Sequence, residues 1–184
     1  MSGGVRLTSR PRDCPGFPQF WTATTVSYFG TYVTALALQI LIVVNLHASA
    51  TEVGLVNAAR WLPYLLFGLL AGVFVDRRRR LPILVGTDFG RAILLVVIPL
   101  LAAVGGLSVP VVIALMLPFG VLSILNDGAA QSVLPDLVTP AALGQANVRI
   151  QQSLSAAQTT GPLVAGGLLA AIGAPLAVLV DAVS

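Results

Sequence analysis

The chain has 184 residues, a mean hydropathy of +0.93 and only 9% charged residues. A soluble domain usually carries about 25% charged residues, so this composition indicates a membrane protein. The net charge of +3 comes from arginines alone, and most of them cluster at the ends of apolar segments, which argues against a nucleic-acid-binding surface.

Residues 1–16 precede the first apolar run and carry three arginines. They lack the short apolar stretch and small-residue cleavage site of a signal peptide, so we interpret them as a cytoplasmic tail. The single cysteine, Cys14, excludes an intrachain disulfide, and the single histidine, His47, has no neighbours at ligand spacing. We therefore expect no metal site and no cofactor, and no residue set indicates an enzyme.

Apolar runs long enough to cross a bilayer follow in order. Five are complete, and a sixth begins near residue 174 and continues to the last residue. The expected helices cover about residues 17–46, 53–75, 81–104, 109–133 and 148–172. The more polar residues 134–147 are predicted to form a loop. The first run exceeds the bilayer thickness, so the helix is either tilted or extends beyond the lipid.

The placement of arginine predicts the orientation. Arginines lie in the N-terminal tail and between the second and third helices, whereas the turns near His47 and Ser108 have none. By the positive-inside rule, the N-terminus is cytoplasmic in a multi-pass protein surrounded by the lipid bilayer. The use of arginine without lysine, together with many Ala, Gly, Val and Leu residues, is typical of a GC-rich bacterial gene, so we expect a bacterial plasma membrane. Because Ser184 lies inside an apolar run, we expect the natural protein to continue into a missing C-terminal half.

The first three helices resemble the second three. Residues 63–72 and 162–171 share the pattern Pro-x4-Gly-Leu-Leu-Ala, and Asp88 and Asp181 each lie six residues after a proline. Phe-Gly pairs recur in the first and fourth helices. The sequence therefore predicts two three-helix units, 17–104 and 109–184, of inverted topology, as in transporters.

Charges within membrane helices are costly and need a partner or a wet cavity. Asp88 and Arg91 are three residues apart, so they form either a local ion pair or part of a transport pathway. Arg149 is expected to extend toward the membrane interface. The remaining candidate intramembrane charges are Arg60, Asp127 and Asp181.

A polar stripe follows the first helix at three- and four-residue spacing, and a second one follows the fifth helix. Such stripes form either a seam between helices or the lining of a central cavity. We expect a cavity lining, more strongly for the first helix, with the candidate residues Thr24, Ser27, Tyr28, Thr31 and Gln158.

Two motifs resemble signatures of the major facilitator superfamily. Gly72 and Asp76, followed by four arginines at 77–80, resemble the family's loop between helices two and three, although an arginine replaces its usual glycine at position 79. In helix five, a second stretch resembles the antiporter signature of the family, with one extra residue before its glycine pair. The matching residues are Gly161, Pro162, Gly166 and Gly167. Among subfamilies, the chain looks most like bacterial twelve-span drug and siderophore exporters.

This resemblance implies the fold and the mechanism. The fold is an all-α, six-helix N-terminal half with two inverted three-helix repeats, whose sixth helix is incomplete. Asp76, Arg77 and Arg80 belong to a cytoplasmic latch, in which Asp127 is the acid expected from helix four. The implied function is proton-coupled efflux of a small organic molecule, with Asp88, Asp127 and Asp181 as candidate proton carriers. Uptake by the same fold and a non-transporting membrane scaffold are the alternatives.

Overall fold

The computed structural model describes residue 11 and residues 14–183, without the side chains of Asp76, Pro175, Val180, Ala182 and Val183. This part of the chain is helical and contains no strand. It forms a bundle of six α-helices, α1 to α6: Phe17–Ile40, Ala50–Asp76, Arg80–Ala103, Val109–Leu137, Pro140–Ile172 and Ala174–Val183. The π-helical turn Leu41–Asn45 continues α1. The predicted tail, residues 1–16, lies largely outside the described residues.

Three helix boundaries differ from the prediction by three residues or more: the start of α2, the end of α4 and the start of α5. α2 begins at Ala50, three residues early, because Ser49 and Glu52 form a capping box: each side chain bonds the other residue's backbone N–H. The predicted loop 134–147 is wrong. Only two residues separate α4 from α5, because Thr139 and Pro140 start α5 at once.

The extension of α5 is held by an apolar cluster with the start of α1 and the end of α4. Phe17, Leu134, Val138, Ala142 and Ala146 are buried together there. Ala142 and Ala146 are four residues apart and lie on one helix face. Tertiary packing therefore makes a helix of a segment whose polarity predicts a loop. We call this end of the bundle, where α2 also meets α3 at residues 77–80, the arginine end.

The helix contacts have the symmetry of the predicted repeat. α2 packs along α4 and α1 along α5, α3 packs on α4 and α6 on α1, and α3 and α6 pack on each other. Exchanging the first three helices with the last three, in order, maps this set onto itself, as two related units require. Among the described residues, α1 and α4 do not contact each other extensively.

Two glycines allow the closest helix approaches. A Cβ at Gly120 of α4 would collide with the carbonyl oxygen of Arg60 and lie 2.9 Å from Cγ of Pro63, both in α2. A Cβ at Gly161 of α5 would lie 2.8 Å from Cβ of Tyr32 in α1. Small residues at such crossings let helix backbones pack closely in a membrane.

Four helices are long and apolar enough to cross a membrane: Phe17–Asn45, Ala50–Val75, Arg80–Ala103 and Val109–Leu137. The predicted fifth span, α5, does not reach the same apolarity although it has 33 residues. Glutamine, serine and threonine side chains on one of its faces, such as Gln151, Ser155 and Gln158, are exposed. That face is poorly suited to lipid, which has consequences for the proposed function.

Candidate functional site

An ion pair joins α3 to α4 at the arginine end. Nη1 of Arg80 donates to Oδ2 of Asp136 over 2.6 Å and to the carbonyl oxygen of Ser132 over 2.8 Å. Arg80 is the first residue of α3, and Asp136 lies in the last turn of α4. Each charge opposes the dipole of its own helix, so neither is placed to stabilise that helix alone. The contact instead ties two helix ends together.

The expected pairing of Arg80 with Asp127 is wrong. α4 extends four residues beyond its predicted end, so Asp127 lies ten residues, or about 15 Å, before the helix terminus. Asp136, in the last turn, is the acid that Arg80 reaches. Asp127 instead accepts a hydrogen bond of 2.7 Å from the hydroxyl of Tyr64 in α2.

For the other residues of the loop motif, the structure shows few contacts that would require their residue types. A Cβ at Gly72 would meet no atom within 4 Å, so nothing in the described chain requires a glycine there. The Asp76 side chain lies outside the described part. Arg77 is exposed, and within the described side chains it forms no hydrogen bond or ion pair.

Near the middle of the bundle, two arginines converge on one aromatic ring. The guanidinium carbon of Arg60 lies 5.7 Å from the ring centroid of Phe119, and that of Arg91 lies 5.1 Å from it. Arg60 comes from α2, Arg91 from α3 and Phe119 from α4. Cation–π attraction is strongest where water is excluded, so this ring helps to hold two charges inside the membrane.

Acidic and polar side chains surround these arginines. Asp88 accepts a 2.7 Å hydrogen bond from the amide of Asn126, which also donates to Thr87 over 3.0 Å. The expected Asp88–Arg91 ion pair is present but long, at 4.0 Å. A second contact of Arg91, over 3.4 Å, reaches Thr31 of α1. Asp88 and Arg91 therefore belong to a network across four helices and are not an isolated local pair.

Asp181 of α6 completes this group of charges. It is buried, and both it and Asp127 lie close enough to Arg60 to attract its charge. We call Arg60, Asp88, Arg91, Asp127 and Asp181 the central charged cluster. When all five are ionised, the two arginines and three aspartates leave one net negative charge.

Comparison with known proteins identifies the family to which this chain belongs. A family of MFS type, described as "Transmembrane secretion effector", matches residues 10–184. The chain belongs to the major facilitator superfamily. It is an all-α chain that corresponds to part of the N-terminal half of that fold.

Two relatives give the scale of the similarity. The "Staphyloferrin A transporter" of Staphylococcus aureus is 26% identical over 167 residues, which are 89% of this chain and 41% of that protein. An "Uncharacterized MFS-type transporter" of Sinorhizobium fredii is 30% identical over 164 residues, 86% of this chain and 39% of its own length. The chain thus spans about two fifths of the length of these relatives. No solved structure matches it significantly.

The helix-five motif of this major facilitator chain divides into two parts. Gly161 is buried against Tyr32 of α1, where a side chain has no room. Gly166 and Gly167 are exposed, and a Cβ on either would meet no atom within 4 Å. Pro162 lies inside an unbroken helix. The first glycine serves packing within the described chain, whereas the glycine pair faces outward.

The polar stripe of α1 is only partly engaged. Thr31 contacts the central charged cluster, and Thr24, Ser27 and Tyr28 are half-buried. Gln158 is exposed on α5. Their role as a cavity lining in this major facilitator chain stays a prediction.

A buried polar seam, which was not predicted from the sequence, joins α1 to α5. Ser153 accepts a hydrogen bond of 2.9 Å from the indole N–H of Trp21 and shares a second, also of 2.9 Å, with the hydroxyl of Thr25, which itself donates to the carbonyl oxygen of Trp21. Arg149, expected at the start of α5, lies nine residues inside it, with its guanidinium 6.0 Å from the Trp21 ring. The four-residue spacing of Trp21 and Thr25 was the available signal for this seam.

Replacing Ser153 by alanine should destabilise the protein by about 1 kcal/mol, because the Trp21 N–H loses its acceptor and Thr25 loses a hydrogen-bond partner inside a membrane bundle. Ser155→Ala, on the exposed face of the same helix, is the matched control and should have no effect. Thermal unfolding of both purified variants measures the difference. Equal melting temperatures for the two variants would show that the seam does not stabilise the bundle.

Proposed function

We propose that the protein is a membrane transporter that exports a small organic molecule of the drug or siderophore class by alternating access. The observation that carries the proposal is the convergence of charges from four helices in the middle of the membrane, together with an ion pair at one end. Intramembrane charges are retained for substrate and ion pathways, because their desolvation is costly. The name of the staphylococcal relative supports a siderophore, one of the two proposed cargo classes.

The ion pair of Arg80 and Asp136 is proposed as the latch of the cytoplasmic side. This end carries the arginines at 77–80, so the positive-inside rule supports a cytoplasmic location for it. In the family-based proposal, Asp76, Arg77 and Gly72 complete the latch against a second half. A hydrogen-bonded ion pair weakens when water enters, so it is suited to a two-state gate.

The proposed coupling ion is the proton. A single proton bound to the central charged cluster would neutralise its net negative charge, which lowers the cost of the cluster in the membrane. Its three acids, Asp88, Asp127 and Asp181, are the candidate carriers of that proton, and Asp127 is tested first because its hydrogen bond joins α4 to α2. Asp88 accepts a hydrogen bond from Asn126 and lies 4.0 Å from Arg91, whereas Asp127 forms no ion pair with the described side chains and accepts a hydrogen bond from the Tyr64 hydroxyl.

The outward-facing part of α5 is proposed to pack against a C-terminal half. Its exposed glutamines are poorly solvated by lipid, and Gly166 and Gly167 leave room for a close helix contact. Alternating access would then follow from rocking of the two halves about a site near the membrane centre.

Flux through proteoliposomes that contain the complete protein tests the function. Staphyloferrin A serves as the siderophore probe and a lipophilic cationic dye as the drug probe, each under a proton gradient of either direction. Movement of either probe against its own gradient, opposite to proton flow, supports proton-coupled efflux. Movement together with the proton would support the alternative, an uptake symporter. The absence of flux for both probes would contradict export of these two classes.

Asp127→Asn should separate transport from coupling. We expect gradient-driven flux to fall at least tenfold, while exchange of labelled for unlabelled probe without a gradient continues, because the amide cannot release a proton. Asp88→Asn is the matched comparison: it should weaken exchange as well, because it removes the carboxylate between Asn126 and Arg91. Full gradient-driven flux in Asp127→Asn would exclude Asp127 as the proton carrier.

A further inference from the structure

Beside the latch, a cleft opens between the end of α2 and the start of α3. Its volume is about 360 Å³, and it is lined by Phe74, Arg78, Arg79, Pro82 and Ile83. Two guanidinium groups and an apolar floor therefore share one small cavity. We propose that this cleft binds an anionic phospholipid of the cytoplasmic leaflet, with the phosphate at the arginines and an acyl chain along the apolar residues.

The first argument is charge. Arg78 and Arg79 are exposed, and they form no hydrogen bond or ion pair with any described side chain. The Asp76 side chain is not among those that the structure describes, so we assign it a full negative charge in the sum that follows. Four arginines at 77–80 against Asp76 and Asp136 still leave a net charge of +2 at this loop. Basic residues just outside the bilayer attract anionic headgroups.

The second argument is the apolar part of the cleft. Phe74 is 48% exposed and Pro82 is also exposed, and both line the cleft on helices that are long and apolar enough to cross a membrane. The guanidinium of Arg78 lies 5.7 Å from the Phe74 ring centroid, which holds the charge beside the apolar surface. A soluble phosphate would use the arginines alone, whereas a phospholipid fits both parts.

Arg80 does not belong to this site. It is committed to Asp136 and Ser132. The four consecutive arginines therefore have at least two roles, one inside the bundle and one toward lipid. This proposal stands whether or not the protein transports the probes named above.

Native mass spectrometry of the purified protein tests the site, with phosphatidylglycerol as the anionic lipid and phosphatidylcholine as the neutral one. The wild type should bind phosphatidylglycerol more tightly by fivefold or more. The double variant Arg78→Gln/Arg79→Gln should lose this preference, with affinity about fivefold weaker for each arginine. Arg78→Lys/Arg79→Lys should retain most of it, and thermal unfolding checks that each variant is folded.

Two further variants separate the cleft from diffuse surface charge. Arg77→Gln removes one charge of the same loop outside the cleft, and it should change the affinity less than twofold. Phe74→Ala should weaken phosphatidylglycerol binding severalfold. The proposal is overturned if the two lipids bind equally. It is also overturned if Arg77→Gln weakens phosphatidylglycerol binding as much as Arg78→Gln/Arg79→Gln or Phe74→Ala does. Equal competition by glycerol phosphate, which has no acyl chain, would overturn it as well.

Discussion

Asp136→Asn in the complete protein is expected to reduce transport at least tenfold while leaving the protein folded. The substitution removes the charge that Arg80 contacts over 2.6 Å, and with it the proposed closure of the cytoplasmic side. The Asp136 side chain is 64% exposed, and such pairs contribute only about 0–1 kcal/mol to stability. A large loss of flux with little change in the melting temperature is therefore the expected signature of a latch.

Two controls support this experiment. Glu52→Gln also converts a carboxylate to an amide near a helix end, but at the opposite end of the bundle, and glutamine still accepts the bond from the Ser49 N–H. Its flux should equal that of the wild type. The exchanged pair Arg80→Asp/Asp136→Arg should recover flux, because each new charge also suits the dipole of its helix. Normal flux in Asp136→Asn would exclude the ion pair from gating.

Gly120→Ala should have the largest effect on stability. Its Cβ would collide with the backbone carbonyl of Arg60, and Pro63 limits how far α2 can adjust. Overpacking usually costs about 1–3 kcal/mol, and we expect the upper part of that range because the obstacle is backbone. Cys14 is the chain's only cysteine and is buried, so its reaction with a thiol-reactive dye during heating reports unfolding.

Gly86→Ala is the matched control for Gly120. Gly86 lies in α3, and a Cβ there would meet no atom within 4 Å. Alanine favours a helix over glycine by about 1 kcal/mol, so this variant should be as stable as the wild type or more stable. If the two alanine variants unfold at the same temperature, the close α2–α4 approach is not needed.

Much of the fold could be predicted because hydropathy and proline position are local signals. The bounds of α3, and of α1 together with its π-helical turn, agree with prediction to about one residue, and the internal echoes anticipated the symmetric helix contacts. The segment 134–147 failed because its helix depends on burial of Ala142 and Ala146 against Phe17, a contact distant in sequence.

The candidate site was predictable in composition but not in pairing. The membrane cost of charge identified Arg60, Asp88 and Arg91 from sequence alone. Their partners, such as Asn126 and Phe119, depend on how helices rotate against each other. Asp127 was wrongly predicted as the partner of Arg80 because α4 was expected to end four residues too early. The acid in the true last turn is Asp136, nine residues further along the chain.

The most direct test of the proposed cytoplasmic latch is to label a single cysteine in the predicted cavity from one side of the membrane. Ser27→Cys in a Cys14→Ser background places the thiol on α1 about 15 Å from the arginine end. A membrane-impermeant maleimide is applied to that side in inside-out vesicles, with and without Asp136→Asn. Labelling should be slow while the latch is intact and at least fivefold faster without it. Equal labelling rates in the two proteins would contradict a latch that closes the cytoplasmic side.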